Sequence, residues 1–248
     1  MKHKILVVAL GMALLLLVVA ASGGMFIPLS DAGKEHSQAP ENSPVIGDDF
    51  SVDRIDFIHY AKPPGGSKPS PTSTCYKLLR LKWTTLPVSC VINPATQEGL
   101  DPQDVKNKII TAAETWDTAT SRELFRDFSE GSATFGNLDG VNAIAFAPHG
   151  DPNVIAVTSI WYYRTTGQIV ETDMLFNEKW VWGAAESDGT QMDIQNIATH
   201  EFGHVAGLGD LYTTSCQEVT MYGYSGYEEI KKRTLEPADV TGIKKIYG

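Results

Sequence analysis

The amino-acid sequence predicts one α/β domain, of the α+β type with a mixed β-sheet, over residues 73 to 248. Short runs of β-branched and aromatic residues are typical of strands, and two segments carry apolar residues at helical spacing. These segments follow one another as strands, a helix, more strands and then two helices, which indicates a sheet with helices packed against it. The 248 residues suffice for one domain of ordinary size together with extra segments.

The domain begins with a strand and a helix. In "PVSCVIN", Val88, Cys90 and Ile92 share one face at period two, which predicts a half-buried strand. Asp101 is a good N-cap and Pro102 fits the first helical position, so a helix is predicted to begin there. The residues at helical spacing that give it a buried face are Val105, Ile109, Ala112, Ala113 and Trp116.

Three further strands and two helices complete the prediction. The strands are the β-branched and aromatic runs "NAIAFA", "VIAVTSIWYY" and "IVETDMLFN". A second helix is predicted to start near Asp193. A C-terminal helix is predicted to start near Pro237, and it ends the chain.

Residues 1 to 29 have the layout of an export signal. A short positive region, "MKHK", precedes an uninterrupted apolar run and the small residues 20 to 24, which is typical of a cleaved signal peptide. The alternative is an uncleaved membrane anchor, because "MFIPL" extends the apolar run toward the ~20 residues that a membrane helix needs. Either interpretation predicts an extracellular domain, secreted or tethered to the cell surface.

Residues 30 to 72 are rich in Pro, Ser and Gly, and "KPPGGSKPSPTSTC" excludes a strand or a helix interior. We expect a linker or pro-region here. Within it, "DDFSVDRIDFIHYA" alternates weakly and is compatible with a strand or a docking segment.

The chain has three cysteines, and an odd number in an exported chain leaves one without a disulfide partner. Cys75 and Cys216 fall in predicted loops and form the better pair. Cys90 lies on the apolar face of its strand, which favours a buried thiol. The sequence leaves a Cys75–Cys90 pair open as the alternative.

The stretch "ATHEFGHVAGLGDLY", residues 198 to 212, carries the chemistry. His200 and His204 are about one helical turn apart, so both imidazoles project from one face and can hold one metal ion. Glu201 lies about 100° round the helix, where it can reach a water on that ion more easily than it can ligate the ion. Zinc held by two imidazoles needs a third protein ligand and an open fourth position for catalysis.

The residues after the second histidine supply that ligand. Gly207 can take a positive φ, end the helix and turn the chain back, and Gly209 relaxes the backbone again. Asp210 then falls within reach of the metal, and carboxylate is an accepted ligand of catalytic zinc. One rival interpretation, a core helix with hydrogen-bonded histidines, leaves Glu201 without a role. The other, a structural zinc, is usually closed by four ligands rich in Cys.

With these residues in place, the chain resembles a known family. "HEFGHVAGLGD" resembles the extended zinc motif of the metzincin metalloproteases, with Asp210 where the usual form has a third histidine, as in the snapalysin-like branch. "EVTMYGY" places Met221 where the metzincin Met-turn belongs. "IVETDMLFN" and "LEPADVTGIKKIYG" are similar to the strand before the active-site helix and to the last helix of the matrixins. The resemblance covers residues 76 to 248.

The resemblance implies a metzincin-type zincin domain: a twisted mixed sheet with an antiparallel edge strand lining the cleft, an active-site helix and a C-terminal helix. It implies that substrate lies along that edge and that residues 222 to 235 wall the main specificity pocket. Met221 is expected to pack beneath the metal, and Tyr222 or Tyr224 is a candidate oxyanion donor or pocket wall. Cys75, in "TSTCYKL", does not match the matrixin latency motif, so it is interpreted as structural.

These observations predict an exported zinc endopeptidase that acts on protein or peptide substrates. One Zn²⁺ held by His200, His204 and Asp210 is expected to polarise the scissile carbonyl and a bound water, with Glu201 as the general base. The rivals are a cell-surface binding protein that keeps a metzincin fold with little or no catalysis and a metal-dependent amidase acting on cell-wall peptides. A site that no longer catalyses a reaction has no need of a general base, so the presence of Glu201 favours the peptidase over the binding protein.

Other cofactors and partners are constrained less directly. The formal net charge of −10 argues against a nucleic-acid partner. Membrane contact is expected only through the N-terminal segment, if that segment is uncleaved. A few Asp and Asn residues in the loops between 136 and 153 are also compatible with a Ca²⁺ site.

Overall fold

A computed structural model of the chain describes residues 51–62, 74–185 and 188–248. The predicted signal peptide or anchor, and all of residues 30 to 72 except 51–62, lie outside the described residues. One compact unit runs from Gly47 to Gly248, so it includes part of the predicted linker or pro-region. Within the described ranges, no helix has the length and apolar character needed to span a membrane.

The elements follow the predicted order. The strands are β1 Val52–Ala61, β2 Val88–Asn93, β3 Phe125–Glu130, β4 Ala143–Ala147, β5 Val154–Tyr163, β6 Ile169–Asn177, β7 Trp182–Gly183, β8 Met192–Asp193 and β9 Tyr224–Ser225. The α-helices are α1 Pro102–Asp117, α2 Ile194–Val205 and α3 Pro237–Tyr247. A single 3₁₀ turn at Lys231–Arg233 lies between β9 and α3.

In the described residues, seven strands form one mixed sheet in the order β3-β2-β4-β6-β5-β1-β9, and β7 pairs with β8 separately. The pairs β2–β3, β2–β4 and β4–β6 are parallel, whereas β5 runs antiparallel to β6. The central strands β4, β5 and β6 are almost wholly buried, as expected for strands covered on both faces. The predicted mixed sheet with an antiparallel strand is confirmed.

The main core lies where α1 and α2 pack against each other and against the sheet. All five residues predicted for the buried face of α1 are buried. The indole of Trp116 also donates a 2.7 Å hydrogen bond to the carbonyl of Thr199 in α2. This bond fixes α2 against α1 and satisfies a buried donor at the same time.

Side-chain caps define where the helices begin. Asp101 caps α1 as predicted, through the backbone N–H groups of Gln103 and Asp104. Asp193 caps α2 by accepting from Asn196 N at 2.7 Å, and its carboxylate also binds the guanidinium of Arg233. Such caps satisfy amide groups that a helix N-terminus leaves without partners.

The segment predicted as a strand or docking segment forms β1. It pairs antiparallel with β5 from Val52 opposite Tyr163 to Tyr60 opposite Val154, and it pairs parallel with β9 at Tyr60 and Ala61. The resemblance implies an antiparallel edge strand along the cleft, but the free edge of β5, the strand antiparallel to β6, is covered by β1. Because side chains alternate along a strand, Phe57 and His59 lie on the same face of β1, and both contact α2.

Cys75 and Cys216, which are 141 positions apart in the sequence, form a disulfide. Cys90 is free and buried in β2. The disulfide lies in a small second cluster with Val219, Tyr222 and Ala238. It ties the segment before β2 to the loop that leads into the Met-turn.

Candidate metal centre

Helix α2 brings the two motif histidines together. The Nε2 atoms of His200 and His204 are 3.1 Å apart, and both side chains are fully buried. Their Nδ1 atoms lie 2.7 Å from the carbonyl of Thr220 and 2.8 Å from the carbonyl of Leu208. Only an Nδ1–H can donate to a carbonyl, so these contacts place the ring protons on Nδ1 and leave both Nε2 lone pairs facing the same point.

The turn after α2 delivers the aspartate. Gly207 has φ +96°, and a Cβ at this position would lie 2.3 Å from the carbonyl oxygen of Leu81, so both the conformation and the space require glycine. Backbone bonds Leu79 N to Gly207 O and Gly209 N to Lys77 O hold the turn in place. The next residue is Asp210.

The Asp210 carboxylate completes a three-residue group. Its Oδ1 lies 3.1 Å from His200 Nε2 and 3.4 Å from His204 Nε2. With the ring protons on Nδ1, three acceptor atoms converge with no hydrogen between them, and Oδ1 is buried without a hydrogen-bond donor. Tetrahedral zinc bonds of about 2.0–2.1 Å separate ligand atoms by about 3.3 Å, so the observed spacing fits one zinc ion.

Charges in the group agree with this fit. Burial and the nearby Lys232 ammonium lower the pKa of His200 to about 3. Burial acts to raise the pKa of Asp210, but the two imidazoles outweigh it and hold that pKa well below its usual range. Burial acts to lower the pKa of His204, but the Asp210 carboxylate raises it above its ordinary value. The Asp210 carboxylate is therefore ionised and the His200 imidazole neutral near neutral pH, which are the forms of these groups that bind metal.

Glu201 lies beside the group with its carboxylate fully buried. The hydroxyl of Thr158, in β5, donates to its Oε2 at 2.6 Å, and Nδ1 of His59, in β1, lies 3.1 Å from its Oε1. Burial raises the pKa of Glu201 to about 7. A carboxyl group whose pKa lies near neutrality is suited to accept and return a proton.

Met221 packs against α2 between the two histidines. A Cβ on Gly203 would lie 2.2 Å from the Met221 sulfur, so the glycine in "HEFGH" leaves room for this contact. The Asp239 carboxylate of α3 accepts from the backbone N–H groups of Thr220 and Met221, which fixes the turn. The same turn supplies the carbonyl that orients His200.

Tyr212, Tyr222 and Tyr224 form a row of contacting rings beside the metal group. The hydroxyl of Tyr212 donates to Asp210 Oδ2 at 3.1 Å, a contact that sequence reasoning missed. Tyr222 packs beside the disulfide, and Tyr224 lies between Tyr212 and Tyr222. The oxyanion role of Tyr222 or Tyr224 stays a prediction.

Strand β1 adds two residues that the sequence did not single out. The Phe57 ring stacks on His204, with centroids 4.3 Å apart, and the His59 ring lies 3.9 Å from that of His200. His59, His200 and Glu201 also form a second group of metal-ligand type in the described chain. Both His59 nitrogens, however, have partners: Nδ1 at Glu201 and Nε2 at Lys232 Nζ, 2.9 Å away. The group with Asp210 is therefore the better ion site.

The described residues give no support to a Ca²⁺ site in the loops between 136 and 153. Among the described residues, the groups of three or more His, Cys, Asp or Glu that could hold an ion are the two above, and neither includes a residue from 136 to 153. The nearby carboxylates of Glu171 and Asp173 accept backbone N–H groups instead, from Asp139 and Gly140 and from Gly136 and Ala143.

The fold and the metal-type group together define a metallopeptidase domain of the metzincin type. The family model for matrixins matches residues 82–248, and the chain belongs to the matrixin family of metalloproteases.

Curated relatives agree with this placement. The chain is 28% identical over 160 residues to a hatching enzyme of Paracentrotus lividus. This match covers 62% of this chain and 24% of that enzyme. It is 27% identical over 127 residues to matrix metalloproteinase-25 of Homo sapiens, covering 51% and 19% of the two chains. It is 32% identical over 114 residues to metalloendoproteinase 1-MMP of Arabidopsis thaliana, covering 46% and 26%. The match thus spans about a quarter or less of the length of each relative.

Proposed function

We propose that this chain is an exported zinc endopeptidase with a single catalytic Zn²⁺ held by His200, His204 and Asp210. The observation that carries the proposal is the meeting of His200 Nε2, His204 Nε2 and Asp210 Oδ1 within 3.1–3.4 Å, with no proton among them. Export is proposed from the apolar N-terminal segment, and a disulfide suits an oxidising compartment.

Each nearby side chain then has a defined task. When bound, Zn²⁺ would supply Lewis acidity toward the scissile carbonyl and the attacking water. Glu201 would take the proton of that water and return it to the leaving amine, a contribution of about 10²–10⁴-fold. The Thr158 hydroxyl holds one carboxylate oxygen of Glu201, and the carbonyls of Thr220 and Leu208 hold the imidazoles in orientation.

We also propose that residues 30 to 72 are a pro-region whose strand β1 keeps the peptidase latent. β1 occupies the edge of β5, where a substrate strand would pair, and it inserts His59 between Glu201 and Lys232. Phe57 covers His204 from the same face of β1. A substrate can reach the metal group only after β1 leaves.

The test uses the full-length protein and a released variant, Phe57→Ala with His59→Ala, which removes both inserted side chains. We expect the released variant to cleave casein and mixed peptides, with loss of cleavage on chelation and recovery with Zn²⁺. The same variant carrying Glu201→Gln is the matched inactive control. Full zinc binding without cleavage of any peptide would instead favour the binding protein that keeps the fold.

A further inference from the structure

Lys232 is a buried cation that the proposed mechanism leaves without a task. It lies in the 3₁₀ turn at Lys231–Arg233, and its side chain is fully buried. Its backbone N–H donates to Asn196 Oδ1 in α2 at 2.7 Å. Its ammonium donates to the carbonyl of Tyr222 and to His59 Nε2.

These contacts enclose a pocket beside the metal group. One wall is α2 with Asn196 and Glu201, another is the segment Tyr222–Ser225, and the base is the Lys232 ammonium. The His59 side chain fills this pocket, reaching from Glu201 Oε1 to Lys232 Nζ. The pocket therefore lies next to the peptide bond whose cleavage Glu201 would assist. Tyr60, the residue after His59 in β1, pairs with Tyr224 of β9.

Among the described residues, the Lys232 ammonium has no anionic partner in direct contact. No salt bridge to its ammonium is found in the described part of the chain, and Glu229, the carboxylate that most favours its charge, accepts instead from Ser225 Oγ at 2.8 Å. Burial lowers the pKa of Lys232 to about 8. A buried cation of this kind is stabilised by any ligand that brings a carboxylate to it.

We infer that Lys232 is the specificity residue of this pocket and selects substrates with Asp or Glu beside the scissile bond. The inference rests on the proposed peptidase function and adds its substrate class. In the chain with β1 in place, His59 accepts a hydrogen bond from Lys232: its Nε2 accepts from the ammonium, while its Nδ1–H donates to Glu201. A substrate carboxylate would take the same hydrogen and also neutralise the charge. An aliphatic side chain would leave the ammonium without its second acceptor, and a basic one would add like charge.

A peptide series tests the inference in the released variant. The peptides differ only in one residue on the leaving side of the cleaved bond, with Glu, Asp, Gln, Leu or Lys in turn. We expect kcat/KM for Glu or Asp to exceed that for Leu by at least about tenfold, with Lys the poorest. Adding Lys232→Met should abolish this preference, and Lys232→Glu should reverse it toward Lys. Lys231→Met is the matched control, because the Lys231 ammonium binds the carbonyl of Gln217 and should leave the preference intact.

A second readout does not depend on peptidase activity. In the full-length protein, cleavage after Arg54 by added trypsin, counted by mass spectrometry against a trypsin-free blank, reports release of β1. His59→Lys should raise this cleavage at least about tenfold, and adding Lys232→Glu should restore protection, because the pair regains opposite charges.

The outcomes separate the two proposals. Chelator-sensitive cleavage by the released variant with Leu preferred over Glu while Lys232 is intact overturns the inference and leaves the peptidase in place. Absence of cleavage of any peptide overturns the proposed peptidase function. The trypsin experiment then still tests whether Lys232 gives the pocket a positive charge. Failure of Lys232→Glu to restore protection in His59→Lys also overturns the inference.

Discussion

The ring of Phe57 lies face to face with the imidazole of His204, with centroids 4.3 Å apart and an interplanar angle of 17°. Two residues on, the His59 ring lies tilted against the His200 ring, and its Nδ1 is 3.1 Å from Glu201 Oε1. The strand that covers the candidate metal group therefore touches both imidazoles and the proposed base. Release of β1 from these contacts is an equilibrium that can be measured separately from catalysis.

Replacing Phe57 by alanine should raise peptidase activity. A buried Phe→Ala change removes on the order of 3–5 kcal/mol of packing, and each 1.4 kcal/mol lost from β1 seating shifts its equilibrium about tenfold. We expect at least about a tenfold higher initial rate on a fluorogenic peptide for full-length Phe57→Ala. Val52→Ala is the control, since Val52 lies in the same strand but is exposed. Equal rates for Phe57→Ala and wild type would contradict the latency proposal.

Glu201→Gln should keep zinc and lose catalysis. Glutamine preserves the shape of the side chain but cannot accept the proton of water, so kcat should fall by about 10²–10⁴-fold. Zinc content by mass spectrometry and peptide hydrolysis, both in the released variant, check this. Glu114→Gln on the exposed side of α1 should leave both unchanged. A Glu201→Gln enzyme that works at the parent rate would remove Glu201 from its proposed role.

Asp210→Ala should lose zinc. Two imidazoles remain in that variant, whereas zinc sites of catalytic type have three protein ligands. The expected result is a zinc affinity at least about tenfold weaker in a competition titration with a chromophoric chelator. Asp188→Ala, at an exposed position, is the control. An unchanged affinity in Asp210→Ala would mean that the third ligand lies elsewhere.

Gly203→Ala should destabilise the fold. The new Cβ would meet the Met221 sulfur at 2.2 Å and the Trp116 ring at 2.8 Å, so the Met-turn or α1 must shift. Overpacking of this kind costs about 1–3 kcal/mol of unfolding free energy. Gly226→Ala provides the comparison, because nothing lies within 4 Å of a Cβ there. Urea denaturation of the two variants should separate them, and equal midpoints would show that the turn yields freely.

The denatured, unreduced protein should contain one free thiol. Cys75 is bridged to Cys216, and burial in β2 raises the pKa of the Cys90 thiol to about 12, so Cys90 stays unreactive until unfolding. Thiol titration before and after denaturation, followed by peptide mapping, measures this. Isolation of a peptide that links Cys75 to Cys90 would refute the pairing.

Local sequence patterns were sufficient to predict much of the fold and the three residues of the metal group. The buried face of α1 and its cap at Asp101 depend on residues within a few turns of one another, and both were predicted. His200, His204 and Asp210 also lie within eleven residues, so their meeting follows from one helix and one glycine turn. Strand β3 was missed, because "FRDFSE" has charged and mostly exposed residues and no apolar alternation.

Long-range contacts were beyond the reach of the sequence. The contact of His59 with Lys232 joins residues 173 positions apart. It depends on the register of β1 against β5, which backbone pairing across the sheet decides. The period-two placement of Phe57 and His59 was the available signal, and it shows a buried face without showing what covers it. The same holds for Thr158, which reaches Glu201 from β5.

Titration of the zinc-free released variant with Zn²⁺, followed by peptide hydrolysis, tests the central claim most directly. If His200, His204 and Asp210 hold one catalytic ion, hydrolysis should rise in proportion to added Zn²⁺ and level off at about one equivalent per chain. In the same titration, Asp210→Ala should need a large excess of zinc or stay inactive. Hydrolysis that is independent of zinc, or that is identical in the Asp210→Ala protein, would contradict the assignment of this group as the catalytic centre.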